Sequence, residues 1–212
     1  MYSEKAQVFV VDDDPRIRSM VERMLLAAGY APRGFPSAGE LLECPTLSMA
    51  SCLILDVKLP DLDGLELQRR LQEDSWAPPI VFITGYGDIP MSVQAMRQGA
   101  VDFLPKPFTR QQLLDAVAAA TARHSSTIQN LREHERVIER VNGLTRREKQ
   151  VFERVCAGML NREIAAELGT SEITVKLQRA KAMKKLEVEN LAEMVRVYES
   201  YREALTAMGM PG

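Results

Sequence analysis

The sequence predicts an α/β domain built on a doubly wound, five-stranded parallel sheet, followed by a helical linker and a small all-α domain. Short apolar segments alternate with segments of helical periodicity through residues 1–121 of the 212-residue chain, the pattern of strands joined by crossover helices. The strands are apolar along their length rather than at alternate positions, as expected for a sheet covered on both faces. After residue 143 the periodicity is helical throughout.

The elements of the first domain follow from apolar runs bounded by turn and cap residues. Pro15 opens the first helix and Gly29 ends it. Asp61–Gly64 is a turn sequence, Gly99 ends the fourth helix, and Thr109 caps the last. The predicted strands are Gln7–Val11, Ala31–Phe35, Cys52–Asp56, Ile80–Thr84 and Val101–Leu104. The predicted helices are 15–28, 37–43, 65–72, 88–98 and a long one after Thr109.

The long helix is expected to continue as a linker over residues 122–143. Neither proline nor glycine occurs between Gln112 and Val141, and the linker is rich in Arg and Glu. A broken apolar stripe covers only two heptads, at Ile128, Leu131, Ile138 and Val141. A solvated connector and a dimer seam both remain open for this segment.

Four helices are predicted for residues 144–212, each opened by a residue that caps amino termini: Thr145, Asn161, Ser171 and Asn190. Glu148, three residues after Thr145, completes a capping box. Gly169 ends the second helix, which covers Arg162–Leu168, and the third runs to Leu186. A three-residue turn containing glycine separates these two helices, which is the spacing of a helix-turn-helix.

Composition excludes several classes of protein. Hydrophobic residues make up 46% and charged residues 26% of the chain, unlike collagen-like, disordered or disulfide-scaffold chains. No apolar run approaches the roughly 18 residues of a membrane span, and the first residues lack the pattern of a secretory signal. Three widely spaced cysteines and two distant histidines make no zinc ligand set. We therefore expect a soluble cytoplasmic protein with no membrane partner.

Chemically complementary side chains follow four of the five predicted strands. They are Asp12–Asp14 after the first strand, Asp56 at the end of the third, Thr84 at the end of the fourth and Lys106 after the fifth. The carboxyl ends of parallel strands lie at one edge of the sheet, so these groups should converge. Converging carboxylates repel one another unless a cation joins them, and oxygen ligands favour Mg²⁺. The set predicts a phosphoryl-transfer site with Asp56 as nucleophile and Asp14 as a helix cap.

Three stretches of this domain resemble the receiver domain of two-component response regulators: VFVVDDDPRIR, LILDVKLPDLDGLEL and VFITGYGDIPMSVQAMRQGAVDFLPKPF. The resemblance covers about residues 5–120, and the last stretch is especially similar to the FixJ branch. It implies a flavodoxin-like fold and phosphorylation of Asp56 by a sensor histidine kinase. It also implies Mg²⁺ held by Asp12, Asp13, Asp56 and the backbone carbonyl of Lys58.

The same resemblance assigns roles around the phosphoryl group. Thr84 and Phe103 are implied to be a switch pair, in which the aromatic ring follows the hydroxyl inward after phosphorylation. Lys106 is expected to pair with a phosphoryl oxygen, while Thr84 donates a hydrogen bond to another. The bond between Lys106 and Pro107 is implied to be cis.

A phosphatase of the haloacid-dehalogenase type is the enzymatic alternative. Asp12 and Asp14 form a D-x-D motif, but position 16 holds arginine where such phosphatases require Thr or Val, and a cap domain is missing. We therefore expect no enzyme, apart from Mg²⁺-dependent self-phosphorylation and slow dephosphorylation at Asp56.

Residues 172–186 predict a helix that reads DNA. Residues 144–212 carry 12 Lys and Arg against 10 Asp and Glu, whereas residues 1–121 carry 11 against 16. The helix should bury Val175, Ala182, Met183 and Leu186. Its opposite face holds Lys176, Leu177, Ala180, Lys181 and Lys184. Lysines there would read guanine or bind phosphates, and Leu177 or Ala180 would contact a thymine methyl group; a solvated lysine face is the alternative.

Residues 141–205 resemble the LuxR-type output domain of FixJ/NarL-like regulators, in which the third helix is the reader. The stretch that carries the resemblance is LTRREKQVFERVCAGMLNREIAAELGTSEITVKLQRAKAMKKL. The resemblance implies phosphate contacts at Arg162, Thr174 and the helix start near Ser171, and the basic Arg179 is a further DNA-binding candidate. Gln178 and Lys181 depart from the His and Asn that are frequent there, a difference that bears on the operator sequence rather than on DNA binding itself.

These inferences predict a phosphorylation-activated transcription regulator that binds double-stranded promoter DNA, with RNA polymerase as a further candidate partner. The alternative is a phosphate sink or protein-interaction receiver with a weak or vestigial output domain. Phosphorylation is expected to produce a twofold homodimer on two half-sites. The candidate dimer residues are Val93, Arg97, Asp102 and Arg110.

Overall fold

The computed structural model describes residues 5–73, 77–85 and 89–209. The chain divides into two compact units after Thr127, inside the segment predicted as the linker. One continuous helix, α5 (Arg110–Asn142), extends across this division. No helix in the described ranges is both long enough and apolar enough to cross a membrane.

The first unit contains the predicted five-stranded parallel sheet. Its strands are β1 (Gln7–Val11), β2 (Ala31–Phe35), β3 (Cys52–Asp56), β4 (Ile80–Thr84) and β5 (Asp102–Pro105), arranged in the order β2–β1–β3–β4–β5. β5 begins and ends one residue later than predicted, because its pairing with β4 extends from Asp102 to Pro105. Since β1 lies between β2 and β3, the order of the strands reverses there and a crevice forms at their carboxyl ends.

Helices cover both faces of this sheet. They are α1 (Pro15–Ala27), α2 (Ala38–Leu42), α3 (Gly64–Glu73), α4 (Ile89–Arg97) and the first part of α5. Every residue of β3 and β4 is buried, and the strands supply side chains to two cores, one containing Phe9 and Phe82 and the other Val10 and Val81. Burial on both faces confirms the prediction from the apolar strands. The predicted start of the fourth helix, Asp88, lies outside the described residues.

The last part of α5 belongs to the core of the second unit. Val137 and Val141 are buried there, and Ile138 packs against the same core. Ile128 is half-buried and Leu131 is exposed. Two residues of the predicted stripe, Ile138 and Val141, therefore pack in the core of the second unit. Only Ile128 and Leu131 are left on the surface of a connector or in a dimer seam.

The second unit is helical, with α6 (Arg146–Cys156), α7 (Asn161–Leu168), α8 (Glu172–Lys185) and α9 (Leu191–Ala207). Thr145, Ser171 and Asn190 cap their helices with side-chain oxygens, as predicted. The expectation that Asn161 caps α7 was wrong. The helix begins at Asn161 itself, because the carboxylate of Glu163 accepts the N–H of Leu160, the residue at the N-cap position, at 2.8 Å.

Candidate functional sites

Three carboxylates meet at the carboxyl end of the sheet. Asp12 and Asp13 directly follow β1, and Asp56 is the last residue of β3. One oxygen from each lies within 4.8 Å of the other two. Asp12 and Asp56 are buried, whereas Asp13 is exposed. The convergence that the strand ends predicted is confirmed.

Lys106 supplies a positive charge to this cluster. Its Nζ donates to Asp12 Oδ2 at 2.7 Å and to Asp56 Oδ2 at 2.6 Å. The sheet holds the lysine in place, since its backbone N–H donates to the Thr84 carbonyl at 2.7 Å. Burial alone would lower the pKa of Lys106, but its two carboxylate partners raise that pKa overall. Burial raises the pKa of Asp12 in spite of the opposing effect of Lys106.

Backbone donors orient the other oxygens of the two buried carboxylates. The N–H of Asp14 donates to Asp12 Oδ1 at 2.9 Å, and the N–H of Lys58 donates to Asp56 Oδ1 at 3.2 Å. Each carboxylate thus has one oxygen directed at Lys106 and one at the backbone. Asp14 itself caps α1 by accepting the N–H of Arg16 at 2.8 Å, as predicted.

The faces of α8 are also arranged as predicted. Val175, Ala182 and Leu186 are fully buried, and Met183 is partly buried against the same core. Five residues on the other side are exposed: Lys176, Leu177, Ala180, Lys181 and Lys184. The exposed side of the helix therefore carries three lysines together with Leu177 and Ala180.

Two family models match the two units. The response regulator receiver domain matches residues 8–118, and the bacterial regulatory proteins of the luxR family match residues 142–198. The first match contains the cluster of Asp12, Asp56 and Lys106, and the second contains α8. The chain belongs to the two-component response regulators with a LuxR-type output domain. This response regulator is therefore a phosphorylation-dependent regulator of transcription, and neither family is one of catalytic enzymes.

Similar proteins place this response regulator in the FixJ/NarL family. Nodulation protein W of Bradyrhizobium diazoefficiens is 45% identical over 202 residues, which cover 93% of this chain and 87% of that protein. The transcriptional regulatory protein FixJ of the same organism is 36% identical over 194 residues, covering 91% of this chain and 94% of FixJ. The solved structure of the response regulator StyR has a TM-score of 0.82 and 40% identity, and covers 93% of this chain and 100% of StyR.

The two residues of the implied switch pair lie on neighbouring strands of the response regulator. Thr84 ends β4 and is buried, while Phe103 in β5 is half-buried with its ring centroid 6.2 Å from that of Phe82. Phe103 is paired with Phe82 in the sheet. Since alternate residues of a strand share a face, Thr84 and Phe103 lie on the same side of the sheet. The peptide bond between Lys106 and Pro107 is cis.

Two residues of the receiver domain have roles that the sequence analysis missed. Asp61, expected only to form a turn, accepts the N–H groups of Ala38 and Gly39 at 3.2 and 2.7 Å and so caps α2. A Cβ atom on Gly64 would lie 2.5 Å from the backbone oxygen of Asp56. Glycine is therefore required where α3 begins against the end of β3. No local pattern reveals either contact, since both depend on how separate loops pack.

The dimer candidates of the response regulator lie on α4, β5 and the start of α5. Val93 is 43% exposed, and Arg97 and Arg110 are also exposed. Asp102 is half-buried, and its Oδ1 accepts the N–H of Phe103 at 2.8 Å. Three of the four side chains are thus accessible to a partner, and Asp102 is engaged within its own strand.

The remaining DNA-binding candidates differ in accessibility. Arg162 on α7 is exposed. Thr174 is exposed, but its hydroxyl lies 2.9 Å from the Ser171 hydroxyl in a mutual hydrogen bond. Arg179 is half-buried. Lys185, the last residue of α8, donates to Glu148 Oε2 at 2.7 Å.

Proposed function

We propose that this response regulator accepts a phosphoryl group on Asp56 from a sensor histidine kinase. In this proposal, residues 1–121 form the receiver domain, residues 122–143 the linker and residues 144–212 the output domain. The observation that carries the proposal is the bridge that Lys106 forms between Asp12 and Asp56. A buried carboxylate beside a half-buried cation and two further carboxylates is suited to holding a transferred phosphoryl group.

The reaction follows from the position of Asp56. A carboxylate oxygen of Asp56 attacks the phosphorus of a phosphohistidine on the kinase. The new P–O bond forms as the P–N bond breaks, and the electron pair stays on the imidazole nitrogen. Lys106 then pairs with a phosphoryl oxygen, and the Thr84 hydroxyl donates to another. A small phosphodonor can replace the kinase, and attack by water slowly restores the carboxylate.

The acidic cluster fits Mg²⁺. Asp12, Asp13 and Asp56 offer only carboxylate oxygens, all within 4.8 Å of one another, and Mg²⁺ prefers such hard oxygen ligands. The backbone carbonyl of Lys58 would complete the ligands from the protein. When bound, Mg²⁺ supplies positive charge that offsets the carboxylates and the phosphoryl oxygens.

Thr84 and Phe103 would transmit the chemical change to the surface. Their common side of the sheet supports this role, since movement of the Thr84 hydroxyl towards a phosphoryl oxygen leaves space on that side. Phe103 can occupy the space and thereby change the surface formed by α4, β5 and α5. The surface includes Val93, Arg97, Asp102 and Arg110, which would form the twofold dimer.

Dimerisation would couple phosphorylation to DNA binding. Two output domains in a twofold dimer face half-sites about one helical turn apart. Each domain brings its own phosphate contacts, so pairing them raises affinity for promoter DNA far more than a change within one domain. We place this activity in the cytoplasm, with RNA polymerase as a further partner at the promoter.

Labelling of the full-length protein tests the phosphoacceptor. With Mg²⁺ and a radiolabelled small phosphodonor, label should enter the wild-type protein and be lost in Asp56→Asn. Asp63→Asn removes an exposed carboxylate charge and keeps an oxygen that can accept the N–H of Leu65 at the start of α3, so this variant should be labelled as the wild type. Undiminished labelling of Asp56→Asn would place the nucleophile elsewhere.

A further inference from the structure

The outermost stripe of α8 is apolar over its first two turns. Ile173 is 79% exposed and Leu177 is 54% exposed. Ile173, Leu177 and Ala180 follow the i, i+4, i+7 spacing of a single helix face. This face lies opposite the buried residues Val175 and Ala182. Among the exposed large hydrophobic residues that the structure describes, Ile173 is the most accessible to solvent.

Charged residues are arranged around this stripe rather than within its first two turns. On a helix with about 100° per residue, Lys176 and Lys181 lie on its two opposite flanks, and Lys184 continues it one turn later. All three lysines are exposed, and Glu172 is the single acidic residue of α8. An apolar strip with one positive charge on each flank complements a groove with phosphate walls and an apolar group on its floor.

Duplex DNA offers one such apolar group to a major-groove helix, the C5 methyl group of thymine. We propose that Ile173 and Leu177 read thymine methyl groups in each half-site while Lys176 and Lys181 bind the flanking phosphates. The proposal rests on the DNA binding proposed above and names the chemical feature that is read. Residues four apart are about 6 Å apart along the helix, or roughly two base-pair steps. The two thymines should therefore lie one or two steps apart.

Replacing thymidine by deoxyuridine tests this directly, because it removes the methyl group and preserves base pairing. Duplexes would first be selected from a random pool with the full-length protein, Mg²⁺ and a small phosphodonor. Selected duplexes would then be resynthesised with deoxyuridine at one thymine at a time. At two thymine positions in each half-site, the substitution should weaken binding roughly fourfold, which corresponds to the free energy of burying one methyl group. At every other thymine it should weaken binding less than twofold.

Variants of α8 connect the methyl groups to residues. Ile173→Ala and Leu177→Ala should each bind the thymidine duplex more weakly and become insensitive to deoxyuridine at one position. Lys176→Ala is the matched control, since it should bind both duplexes more weakly and keep their affinity ratio. Because Ile173 is exposed, Ile173→Ala should melt at the wild-type temperature.

The outcomes separate this inference from DNA binding itself. Equal wild-type affinity for thymidine and deoxyuridine duplexes would overturn the methyl readout and leave DNA binding intact. If Ile173→Ala and Leu177→Ala both keep the wild-type affinity ratio, the inference is also overturned, since other residues would then read the methyl groups. Failure of the wild-type protein to enrich any duplex would contradict the proposed DNA binding.

Discussion

The ammonium group of Lys106 lies 2.6 Å from Oδ2 of Asp56, and the same nitrogen lies 2.7 Å from Oδ2 of Asp12. The side chains of Asp12, Asp56 and Lys106 are 0%, 10% and 18% exposed, so solvent screens their charges only weakly. Lys106 thus acts as the counterion of two carboxylates. Any further cation at the cluster binds in the presence of this positive charge.

Replacing Lys106 by methionine should strengthen Mg²⁺ binding. Methionine keeps much of the side-chain length, and removal of the charge leaves carboxylates whose repulsion only a bound cation offsets. We expect the apparent Kd for Mg²⁺ to fall roughly tenfold, as measured by titration calorimetry of the full-length chain. Lys181→Met on α8 should leave the Kd unchanged. Weaker Mg²⁺ binding by Lys106→Met would contradict the role of Lys106 as a counterion that competes with Mg²⁺.

Replacing Gln68 by leucine should loosen the carboxyl end of α4. Gln68 is fully buried in α3, and its Nε2 donates to the carbonyls of Gln98 and Ala95 at 3.0 and 3.4 Å. Loss of this buried donor should lower the free energy of unfolding by about 1–3 kcal/mol. Urea denaturation would measure that loss, and hydrogen exchange should become faster in α4.

Gln72→Leu is the matched control for Gln68→Leu. Gln72 also donates to the Gln98 carbonyl, but its side chain is exposed, so water can replace the lost donor. We expect a loss of at most about 0.5 kcal/mol. If both variants lost the same stability, burial of Gln68 would not be the cause.

Glu148 should stabilise the second unit in a pH-dependent way. Its buried carboxylate accepts from Lys185 Nζ at 2.7 Å and from the N–H of Thr145 at 2.8 Å. These contacts hold the pKa of Glu148 below its usual range, and the hydrogen bond from Lys185 has the largest effect. The stabilisation is therefore present above the ordinary pKa of glutamate and is lost as the pH falls through the depressed value.

Thermal unfolding of Glu148→Gln would measure this effect. At neutral pH the variant should melt below the wild type, and the difference should shrink as the pH falls below the ordinary glutamate pKa. Glu203→Gln, on the exposed side of α9, should melt as the wild type at each pH. A difference between Glu148→Gln and wild type that stays constant down to low pH would show that the charge of Glu148 contributes nothing.

Phosphorylation should convert a monomer into a dimer. Sedimentation of the full-length protein at matched concentration, with and without Mg²⁺ and a small phosphodonor, would measure the change. Val93→Asp places a charge on the exposed face of α4 and should reduce dimer formation without preventing labelling of Asp56. If both forms sediment as one species while DNA affinity still rises, the switch is instead the release of a masked reading helix.

The sequence alone determined the two architectures and most of the acidic cluster. The apolar runs that end at Val11 and Asp56 identify buried parallel strands, and their ends lie at one edge in any such sheet. Helix starts at Thr145 and Ser171 were predictable because a cap and its amide partner lie within three residues. Periodicity alone likewise separated the buried from the exposed face of α8.

Only the tertiary structure decided which polar side chains bind to one another. Asp61 caps α2, Gln68 donates to the Gln98 carbonyl just after α4, and Lys185 at the end of α8 pairs with Glu148 of α6. The partners in these pairs are 22 to 37 positions apart, and the side chains resemble ordinary turn or surface residues. Periodicity and capping are properties of a few consecutive residues, whereas a hydrogen bond between distant residues depends on distances that exist only after the helices pack.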